Sequence, residues 1–297
     1  MKILAIIVSY NFEHWINQCL GSLRQSIQPV DIVVIDNCSL DATTSIIEKH
    51  YPEVRLIKNE KNLGFGHANN IGMRIALQEE YNAVLLLNQD AWIDAQTIGT
   101  LANLLSIKPQ YGIISPVHLN GKGNKLDQGF ATYIGITDLT KITKVPVIPA
   151  TFINAACWMI PTSVLRVIGG FSPLFYHYGE DKDYINRLKY HGYLLGYSPN
   201  VFGYHDREYR EVTPATFFRS EQVYLLSEYA NINYSFMKAF GYSILAGLKK
   251  ASKALIHNKN KDAIKYLDIT FRLITHTFEV IKVRKRTIHK EDNYIKS

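Results

Sequence analysis

Two aspartates stand directly after apolar, strand-like runs, where an α/β sheet would open toward a ligand. The first is Asp36, which ends the run Ile32 to Asp36 and is followed closely by Ser39 and Asp41. Its carboxylate could accept the imide N–H of a uracil or thymine ring. Alternatively, Ser39 or Asp41 could simply cap the helix that follows. The pattern leaves a base-binding aspartate and a structural cap both open.

The second aspartate, Asp90, follows the apolar run Val84 to Leu87. A carboxylate here could hold Mg²⁺ or Mn²⁺ against a diphosphate, because these hard cations prefer oxygen ligands and keep few protein contacts. The alternative is a cap for the helix that begins near Asp94. His205 ends the run Val201 to His205 and could give an imidazole to the same metal, or could be ordinary polar surface.

A cluster of charged residues follows Gly179 and contains candidates for acid–base chemistry. Asp183 and Arg187 are four residues apart, so they can pair on one helix face, which gives them a structural interpretation. Asp181, at the predicted helix start, is the better candidate for a general base that accepts a hydroxyl proton. Glu180 and Asp183 are the alternatives for that role.

A glycine- and asparagine-rich segment lies between Asn59 and Gly72. Its glycines would let the backbone approach a ligand closely, and its amides would sit at a helix N-terminus, which suits anions and polar groups. A purely structural loop-to-helix transition is the other interpretation. The chain has neither GxGxxG in this segment nor a GxxxxGK[ST] loop, so dinucleotide-binding and ATPase functions lack their main sequence support.

The elements that must position these residues alternate along the first half of the chain. Apolar, β-rich runs alternate with helical patterns in the order βαβαβαβ from Ile3 to Leu87. This order predicts an α/β fold with a mostly parallel sheet, helices on both faces and ligands at the carboxyl ends of the strands. The pattern is helical after Pro214. We therefore predict a catalytic-type domain over residues 1–213 and a basic helical extension over residues 214–297.

Charge is divided unevenly along the 297 residues, whose formal net charge is +7. Residues 236–297 hold 14 Lys and Arg against 5 Asp and Glu, a net of +9, whereas the preceding 235 residues hold 19 against 21, a net of −2. The main domain therefore lacks the basic surface expected of a nucleic-acid-binding protein. The three cysteines show no CxxC spacing, which supports neither a disulfide framework nor a zinc site and fits a reducing compartment.

Five motifs, taken in order, resemble the inverting family 2 glycosyltransferases of GT-A fold, in the branch that includes bacterial rhamnosyltransferases. They are Val8-Ser9-Tyr10-Asn11, Val34-Ile35-Asp36-Asn37-x-Ser39-x-Asp41, Asn62-x-Gly64-Phe65-Gly66-x-Ala68-Asn69-Asn70-x-Gly72, Leu86-Leu87-Asn88-Gln89-Asp90, and Phe175-x-x-Tyr178-x-Glu180-Asp181-x-Asp183-x-x-x-Arg187, closing at His205. The resemblance covers residues 3 to 205 and implies a GT-A type domain that binds a nucleotide-diphosphate sugar.

The resemblance also implies a role for each matched position. Asp36 would bind the pyrimidine base, and Asp181 would be the catalytic base. Asp90 and His205 would hold Mg²⁺ or Mn²⁺ on the diphosphate. The remaining donor-binding positions that it implies are Ser9, Asn11, Asn37, Asn62, Gly64, Gly66, Asn69 and Asn88. Asn88 departs from the two-carboxylate DxD form of the family, which leaves one acidic metal ligand.

The implied reaction transfers one sugar, with inversion, from a dTDP- or UDP-sugar to a saccharide or lipid-linked saccharide in cell-surface polysaccharide synthesis. No QxxRW signature and no membrane-spanning run follow residue 205, which favours single transfer over processive synthesis. A sugar-phosphate nucleotidyltransferase would be expected to have a Gly-rich loop with Arg or Lys after the first strand, where this chain has Ser9-Tyr10-Asn11-Phe12. A catalytically silent nucleotide-sugar-binding subunit is a third alternative.

The extension carries an apolar stripe at alternating spacings of three and four, the pattern of an amphipathic helix. Its members are Ile264, Leu267, Phe271, Ile274, Phe278 and Ile281. We expect the stripe to pack inward, in a helical hairpin or a homodimer contact. Basic residues are expected to face an anionic membrane, which would place a cytoplasmic protein at the inner face of the membrane; these are Lys249, Lys250, Lys253, Arg284, Lys285 and Arg286.

Overall fold

A computed structural model describes residues 1–143, 145–206, 213–291 and 293–295 of the chain. Within these ranges the strands are β1 (Ile3–Ser9), β2 (Asp31–Asp36), β3 (Arg55–Lys58), β4 (Ala83–Leu87), β5 (Ala91–Ile93), β6 (Tyr111–Asn120), β7 (Ile148–Pro149), β8 (Cys157–Pro161) and β9 (Leu194–His205). The predicted run Val201 to His205 is the end of one long strand, β9. Residues 292, 296 and 297 of the predicted extension lie outside the described part.

The helices of the α/β part alternate with these strands. They are α1 (Ile16–Arg24), α2 (Thr43–His50), α3 (Phe65–Gln78), α4 (Thr97–Ile107), α5 (Gln128–Ile134), α6 (Thr162–Ile168) and α7 (Glu180–Tyr190). A single turn of 3₁₀ helix covers Leu139–Lys141. The predicted βαβαβαβ order is therefore confirmed from β1 to β4.

All the strands join one sheet in the order β3-β2-β1-β4-β8-β6-β9-β5, with β7 on β9. The half formed by β3, β2, β1 and β4 is parallel, as predicted. Beyond β4 the sheet is mixed, because β8 runs antiparallel to both β4 and β6 while β6 and β9 are parallel. The ends of β1, β2 and β4 consequently meet at one edge, which is where the predicted ligand residues stand.

The sheet separates two apolar cores, and β1 shows how. Leu4 and Ile6 pack into one core, while Ile3, Ala5 and Ile7 pack into the other. Successive side chains of a strand point to opposite faces, so a strand covered on both sides must be apolar at nearly every position. This two-sided burial explains why the sequence shows continuous apolar runs rather than alternation.

Four helices follow the sheet domain, namely α8 (Pro214–Ala230), α9 (Phe236–Ile256), α10 (Asn260–Thr275) and α11 (Thr277–Ile288). They enclose a third apolar core that includes Leu225, Tyr229, Ile269 and Leu273. Phe175 from the segment before α7 also belongs to this core. The helices are therefore packed against the sheet domain, next to the start of α7.

The last described residues, 293–295, pack against the sheet domain. Ile295 is 2% exposed and belongs to the same apolar core as Leu4 and Ile6. The backbone carbonyl of Ile295 accepts a hydrogen bond from Arg74 on α3, and that of Asn293 accepts one from the amide of Gly170. The predicted division at residue 213 stays a prediction, and these contacts attach the last described residues to the first part.

The predicted hairpin of helices is present as α9 and α10, but the stripe does not pack inward within it, and the alternative of a homodimer contact stays a prediction. Ile264, Leu267, Phe271, Ile274 and Phe278 are between 47% and 86% exposed. The opposite face of α10, which carries Ala263, Ile269, Thr270 and Leu273, is the buried one. Small residues on α9 allow the two backbones to approach closely, so the larger apolar side chains are left outside the contact.

The membrane-facing role predicted for Arg284 is also wrong. Arg284 is 6% exposed and donates hydrogen bonds to the backbone carbonyls of Tyr229, Asn231 and Tyr234, so it closes the turn after α8. Lys250 pairs with Glu221 of α8. In the described part of the chain, every helix is too short or too polar to cross a membrane.

Candidate active site

Asp36, at the end of β2, is held in a buried polar network. It is 2% exposed, and its Oδ1 accepts a hydrogen bond from Ser9 Oγ of the neighbouring strand β1 at 2.8 Å. Ser39 donates twice to the same carboxylate, from its hydroxyl to Oδ1 and from its amide to Oδ2 at 3.0 Å. A carboxylate has about four acceptor positions, so roughly one remains for a ligand N–H.

Of the two residues that could cap the helix after β2, Asp41 rather than Ser39 bonds to the start of α2. Asp41 Oδ1 accepts the amide of Thr43 at 3.0 Å at the start of α2. Hydrogen bonds to Asp41 lower the pKa of its carboxyl, although burial acts in the opposite direction. Ser39 belongs instead to the network around Asp36, so the two polar residues after β2 have separate tasks.

Asn11 joins the loop after β1 to the loop after β2. Its amide donates to Ser39 Oγ at 2.9 Å, and its side-chain oxygen accepts the amide of Leu40 at 2.9 Å. The backbone φ of Asn11 is +52°, in the left-handed region that asparagine tolerates better than most residues. This residue therefore fixes the shape of the loop pair beside Asp36.

Asn37 and Asn62 organise the glycine-rich segment before α3. Asn37 Nδ2 donates to the carbonyl of Gly64 at 3.3 Å, and its Oδ1 accepts from Asn59 at 3.0 Å. Asn62 Oδ1 accepts the amide of Gly64 at 2.9 Å. Inside α3, Asn69 Nδ2 donates to the carbonyl of Phe65 at 3.0 Å. The asparagines predicted to bind the donor thus also hold the loop that would receive it.

The two glycines predicted to approach a ligand approach other parts of the protein. A Cβ at Gly64 would lie 2.3 Å from the carbonyl oxygen of Tyr176, and a Cβ at Gly66 would lie 2.9 Å from Cβ of Phe171. The Cβ placed at Gly66 would also lie 3.8 Å from Cβ of Glu180. The N-terminus of α3 is therefore packed against the segment that leads into α7, and the glycines are required for that contact.

The segment Asn88-Gln89-Asp90 lies between β4 and β5. Gln89 forms a reciprocal pair with the backbone of Tyr10: its Oε1 accepts the amide at 2.8 Å and its Nε2 donates to the carbonyl at 3.2 Å. Asn88 Oδ1 is buried and makes no hydrogen bond within the described residues. Strand β5 follows immediately, so Asp90 is not the cap of α4 and that alternative is excluded.

Asp90 and His205 come together although 115 positions separate them in the sequence. Strands β5 and β9 pair antiparallel with Ala91 opposite His205, which brings Asp90 Oδ1 to 3.4 Å from His205 Nε2. His205 is 3% exposed, whereas the Asp90 side chain is 23% exposed. The imidazole is thus buried inside the protein, and the carboxylate is partly exposed to solvent.

A further carboxylate stands behind His205. Asp127 Oδ2 is 3.9 Å from His205 Nδ1, and Asp127 itself is 3% exposed. Its other oxygen accepts the amide of Phe130 at 2.8 Å, so Asp127 also caps α5. His205 Nδ1 has no hydrogen bond among the described residues. A carboxylate behind a metal-binding imidazole commonly sets its orientation and basicity.

The Asp90–His205 pair fits a divalent cation that is shared with a ligand. One carboxylate oxygen and one imidazole nitrogen are donors that Mn²⁺ accepts, and Mg²⁺ and Mn²⁺ at diphosphate sites keep few protein ligands. No cluster of three or more His, Cys, Asp or Glu with metal-binding geometry occurs in the part of the chain that the structure covers. The pair could therefore hold such an ion only together with oxygens of a bound diphosphate or water.

Three acidic residues at the start of α7, Glu180, Asp181 and Asp183, lie in different environments. Asp183 pairs with Arg187 at 2.8 Å inside the protein, where Arg187 also donates to the carbonyls of Ile168 and Gly170. The structural interpretation of this pair is confirmed. Arg187 lowers the pKa of Asp183, but burial outweighs it and the net shift is upward. Asp183 is therefore committed to holding α7 in place.

Glu180 and Asp181 differ in their access to solvent. Glu180 is 6% exposed, and its Oε2 is buried without a hydrogen bond in the described structure. Burial, with a smaller contribution from the nearby Asp181, raises the pKa of Glu180 to about 8. Asp181 is half-buried, and its Oδ1 accepts the amide of Lys182 at 2.7 Å. Of the two, Asp181 has the more accessible carboxylate, and its predicted role as the base stays a prediction.

The sequence interpretation missed two functional candidates, Gln89 and Asp127. Gln89 lies inside a recognised motif, but its pairing with the Tyr10 backbone depends on the adjacency of β1 and β4. Asp127 precedes a helix, where an aspartate is usually a cap, and its capping bond is indeed present. Only the packing of α5 against β6 and β9 reveals that its second oxygen is directed toward His205.

Comparison with known proteins shows what the chain is similar to in sequence and in fold. The family described as Glycosyl transferase family 2 matches residues 4–169. The N-acetylglucosaminyl-diphospho-decaprenol L-rhamnosyltransferase of Mycobacterium tuberculosis is 24% identical over 224 residues, which cover 66% of this chain and 73% of the relative. The poly(ribitol-phosphate) beta-N-acetylglucosaminyltransferase TarS of Staphylococcus aureus is 31% identical over 104 residues, only 18% of its length.

Solved structures share the fold at low sequence identity. TarS 1–349 in complex with UDP-GlcNAc has a TM-score of 0.57 at 18% identity and covers 99% of this chain and 90% of its own. The mannosyltransferase PcManGT from Pyrobaculum calidifontis, in complex with GDP-Man and Mn²⁺, has a TM-score of 0.61 at 17% identity, with 99% and 84% covered. These likenesses establish a GT-A-like fold, and the family match, which spans more than half of the chain, shows that it belongs to glycosyl transferase family 2.

Proposed function

We propose that this chain is a metal-dependent, inverting glycosyltransferase that moves one sugar from a dTDP- or UDP-sugar to a glycan or lipid-linked acceptor. The observation that carries the proposal is the pairing of Asp90 with His205 at the edge of the sheet, 3.4 Å apart. The pairing needs both the turn after β4 and the last residue of β9. Asp90 caps no helix, because strand β5 begins directly after it.

Asp36 and its neighbours form the nucleotide side of the proposed site. Ser9 and Ser39 orient the Asp36 carboxylate, which would accept the imide N–H of uracil or thymine with its remaining acceptor position. Because uracil and thymine both present this imide N–H, we propose a pyrimidine nucleotide. The Asn11 bonds between the first two loops would keep this pocket in shape without the donor.

Asp90 and His205 would hold Mg²⁺ or Mn²⁺, which when bound supplies positive charge to the departing diphosphate. Asp181 would act as the catalytic base. The acceptor oxygen forms a bond to the anomeric carbon as the bond from that carbon to the diphosphate oxygen breaks. The hydroxyl proton passes to Asp181, and the nucleoside diphosphate leaves from the opposite face, which inverts the configuration.

The proposed acceptor follows the rhamnosyltransferase relative, whose name specifies a sugar on a decaprenyl diphosphate. The net charge of +9 on α9–α11 and the following residues supports a peripheral position at the inner face of an anionic membrane, in cell-surface polysaccharide synthesis. A catalytically silent binding subunit is the rival from another class. It would retain donor binding without turnover.

Release of nucleoside diphosphate and NMR of the product separate these functions. With Mn²⁺, a dTDP- or UDP-sugar and a matching acceptor, we expect nucleoside diphosphate and a product of inverted anomeric configuration. Asp90→Ala should abolish the dependence of donor binding on Mn²⁺, measured by calorimetry. Asp94→Ala is a matched control, because Asp94 accepts from Tyr204 instead. Retention of configuration, or metal-dependent binding unchanged in Asp90→Ala, would refute the proposal.

A further inference from the structure

The pair of helices α9 and α10 has an apolar surface that no part of the described chain covers. Its members are Leu245, Leu248, Leu255, Ile256, Ile264, Leu267, Phe271 and Ile274, each 41% to 77% exposed. Single exposed apolar residues are common in proteins, whereas a group of this size marks an interaction surface. We call this group the apolar strip.

The members of the strip lie on one side of the helix pair. Gly247 of α9 faces Thr270 of α10, since a Cβ at Gly247 would be 2.2 Å from Thr270 Oγ1. Leu248 and Phe271 are the residues that follow these two contact points. Because α9 and α10 run antiparallel across a three-residue turn, the position after the contact lies on the same side in both helices. The strip is therefore continuous across the seam.

Lysines border the strip along both of its edges. Lys249 and Lys253 are four residues apart on the outer side of α9, and Lys261 and Lys265 are four apart on the far side of α10. All four are exposed. Helices α9 to α11 together hold 11 Lys and Arg against 3 Asp and Glu. Of these three acids, Asp268 and Glu279 are paired with Arg272 and His276.

This combination favours a lipid surface over a second copy of the chain. A twofold contact through the strip would bring rows of lysine against the same rows of the partner, with few acidic groups to compensate. An anionic bilayer supplies the opposite charge at the edges and a hydrocarbon boundary at the centre, the environment that amphipathic basic helices occupy. Long lysine side chains can reach the headgroups while the apolar residues enter below them.

We propose that the apolar strip and its lysine borders are the docking surface for an anionic membrane, with α9 and α10 lying in the plane of the interface. This docking surface rests on the proposed function, because a lipid-linked acceptor would be held at the membrane. The membrane would contact the exposed side chains of the hairpin. Arg284 and Lys250 have no part in this contact, because Arg284 is buried and Lys250 is paired with Glu221.

Co-sedimentation with vesicles tests the proposal. We expect the full chain to bind vesicles of phosphatidylglycerol and phosphatidylcholine much more tightly than pure phosphatidylcholine, and to lose most of that binding in high salt. The variant Lys249→Gln/Lys253→Gln should bind about 30-fold more weakly, at roughly fivefold for each lysine. Ile264→Ser/Phe271→Ser should also abolish most binding, because its charge is unchanged but the apolar contact is lost.

A matched control changes residues of the same type elsewhere. Ile27, Ile107 and Lys49 are exposed on the sheet domain, so Ile27→Ser/Ile107→Ser and Lys49→Gln should leave vesicle binding unchanged. Equal binding to neutral and anionic vesicles, or binding to neither, would overturn the proposal. So would a sedimentation-velocity dimer that Ile264→Ser/Phe271→Ser dissociates, since a second copy would then be the occupant.

The test is separable from the proposed enzymatic function. Slow release of nucleoside diphosphate from the donor, measured without vesicles, should be the same in the strip variants and the unmodified chain. If release is retained but vesicle binding is absent, the docking inference fails and the proposed function stands. If vesicle binding is present but no donor is consumed, the proposed function fails and the docking surface stands.

Discussion

The carboxyl edge of the sheet and the hairpin of α9 and α10 differ in the groups that lack a favourable environment. The sheet edge has buried polar atoms without a hydrogen bond, whereas the hairpin has apolar side chains exposed to water. At the sheet edge Asp36 and His205 are almost fully buried, and Asn88 Oδ1 and His205 Nδ1 make no hydrogen bond in the described structure. On the hairpin, large apolar side chains such as Phe271 are in water. Buried polar atoms favour a polar or charged ligand, and exposed apolar surface favours an apolar one. The contrast separates the proposed site for chemistry from the proposed surface for attachment.

The largest expected effect concerns the sheet edge. Asp181→Asn should lower the rate of sugar transfer by roughly 10² to 10⁴, because the amide keeps the shape of the side chain and loses its basicity. Donor affinity, measured by calorimetry, should be nearly unchanged. Glu180→Gln is the matched comparison, and a larger loss of transfer there would identify Glu180 as the base instead.

The second prediction compares the two faces of α10. Leu273 is 1% exposed inside the helical core, whereas Phe271 is 65% exposed. Leu273→Ala should lower the free energy of unfolding by about 2–5 kcal/mol, as expected for a truncated core leucine. Phe271→Ser should change it by less than about 0.5 kcal/mol. Urea unfolding measures both, and equal losses would mean that Phe271 is covered by another surface in solution.

The third prediction concerns the carboxylate behind His205. Asp127→Asn keeps an oxygen to cap α5 but removes the negative charge near His205 Nδ1, so Mn²⁺ affinity should fall about 10- to 100-fold. Titration of Mn²⁺ in the presence of the nucleoside diphosphate, followed by electron paramagnetic resonance, measures this directly. Asp138→Asn is the control, because Asp138 caps only an exposed 3₁₀ turn. An unchanged Mn²⁺ affinity would mean that Asp127 acts only as the cap of α5.

The smallest effect is a pH dependence from Glu180. Its pKa rises from an ordinary value of 4.5 to about 8 because burial disfavours the carboxylate. Stability linked to the neutral acid is therefore fully present below pH 4.5 and is lost as the pH rises through about 8. Glu180→Gln cannot ionise, so its Tm relative to the unmodified chain should increase by at least about 2 °C from pH 5 to pH 9. A difference that does not vary with pH would show that Glu180 is solvated.

The sequence predicted those parts of the site that depend on local order. Strand-end polar residues follow apolar runs directly, so Asp36 and Asp90 could be assigned to the sheet edge once the βαβ alternation was recognised. The Asp183–Arg187 pair could also be predicted, because a spacing of four places two side chains on one helix face. Contacts between distant segments, such as Gln89 with the Tyr10 backbone, carried no signal that periodicity could detect.

By itself, the sequence determined the parallel half of the sheet, the helical character of the extension and the residue types available for catalysis. These follow from periodicity and from the chemistry of single side chains. The tertiary structure alone decided that Asp127 stands behind His205, that Glu180 is buried beside an accessible Asp181, and that the apolar strip faces outward. A stripe of apolar residues shows only that a helix has two faces. The small buried residues of α9, with Gly247 against Thr270, determine which face of α10 is buried.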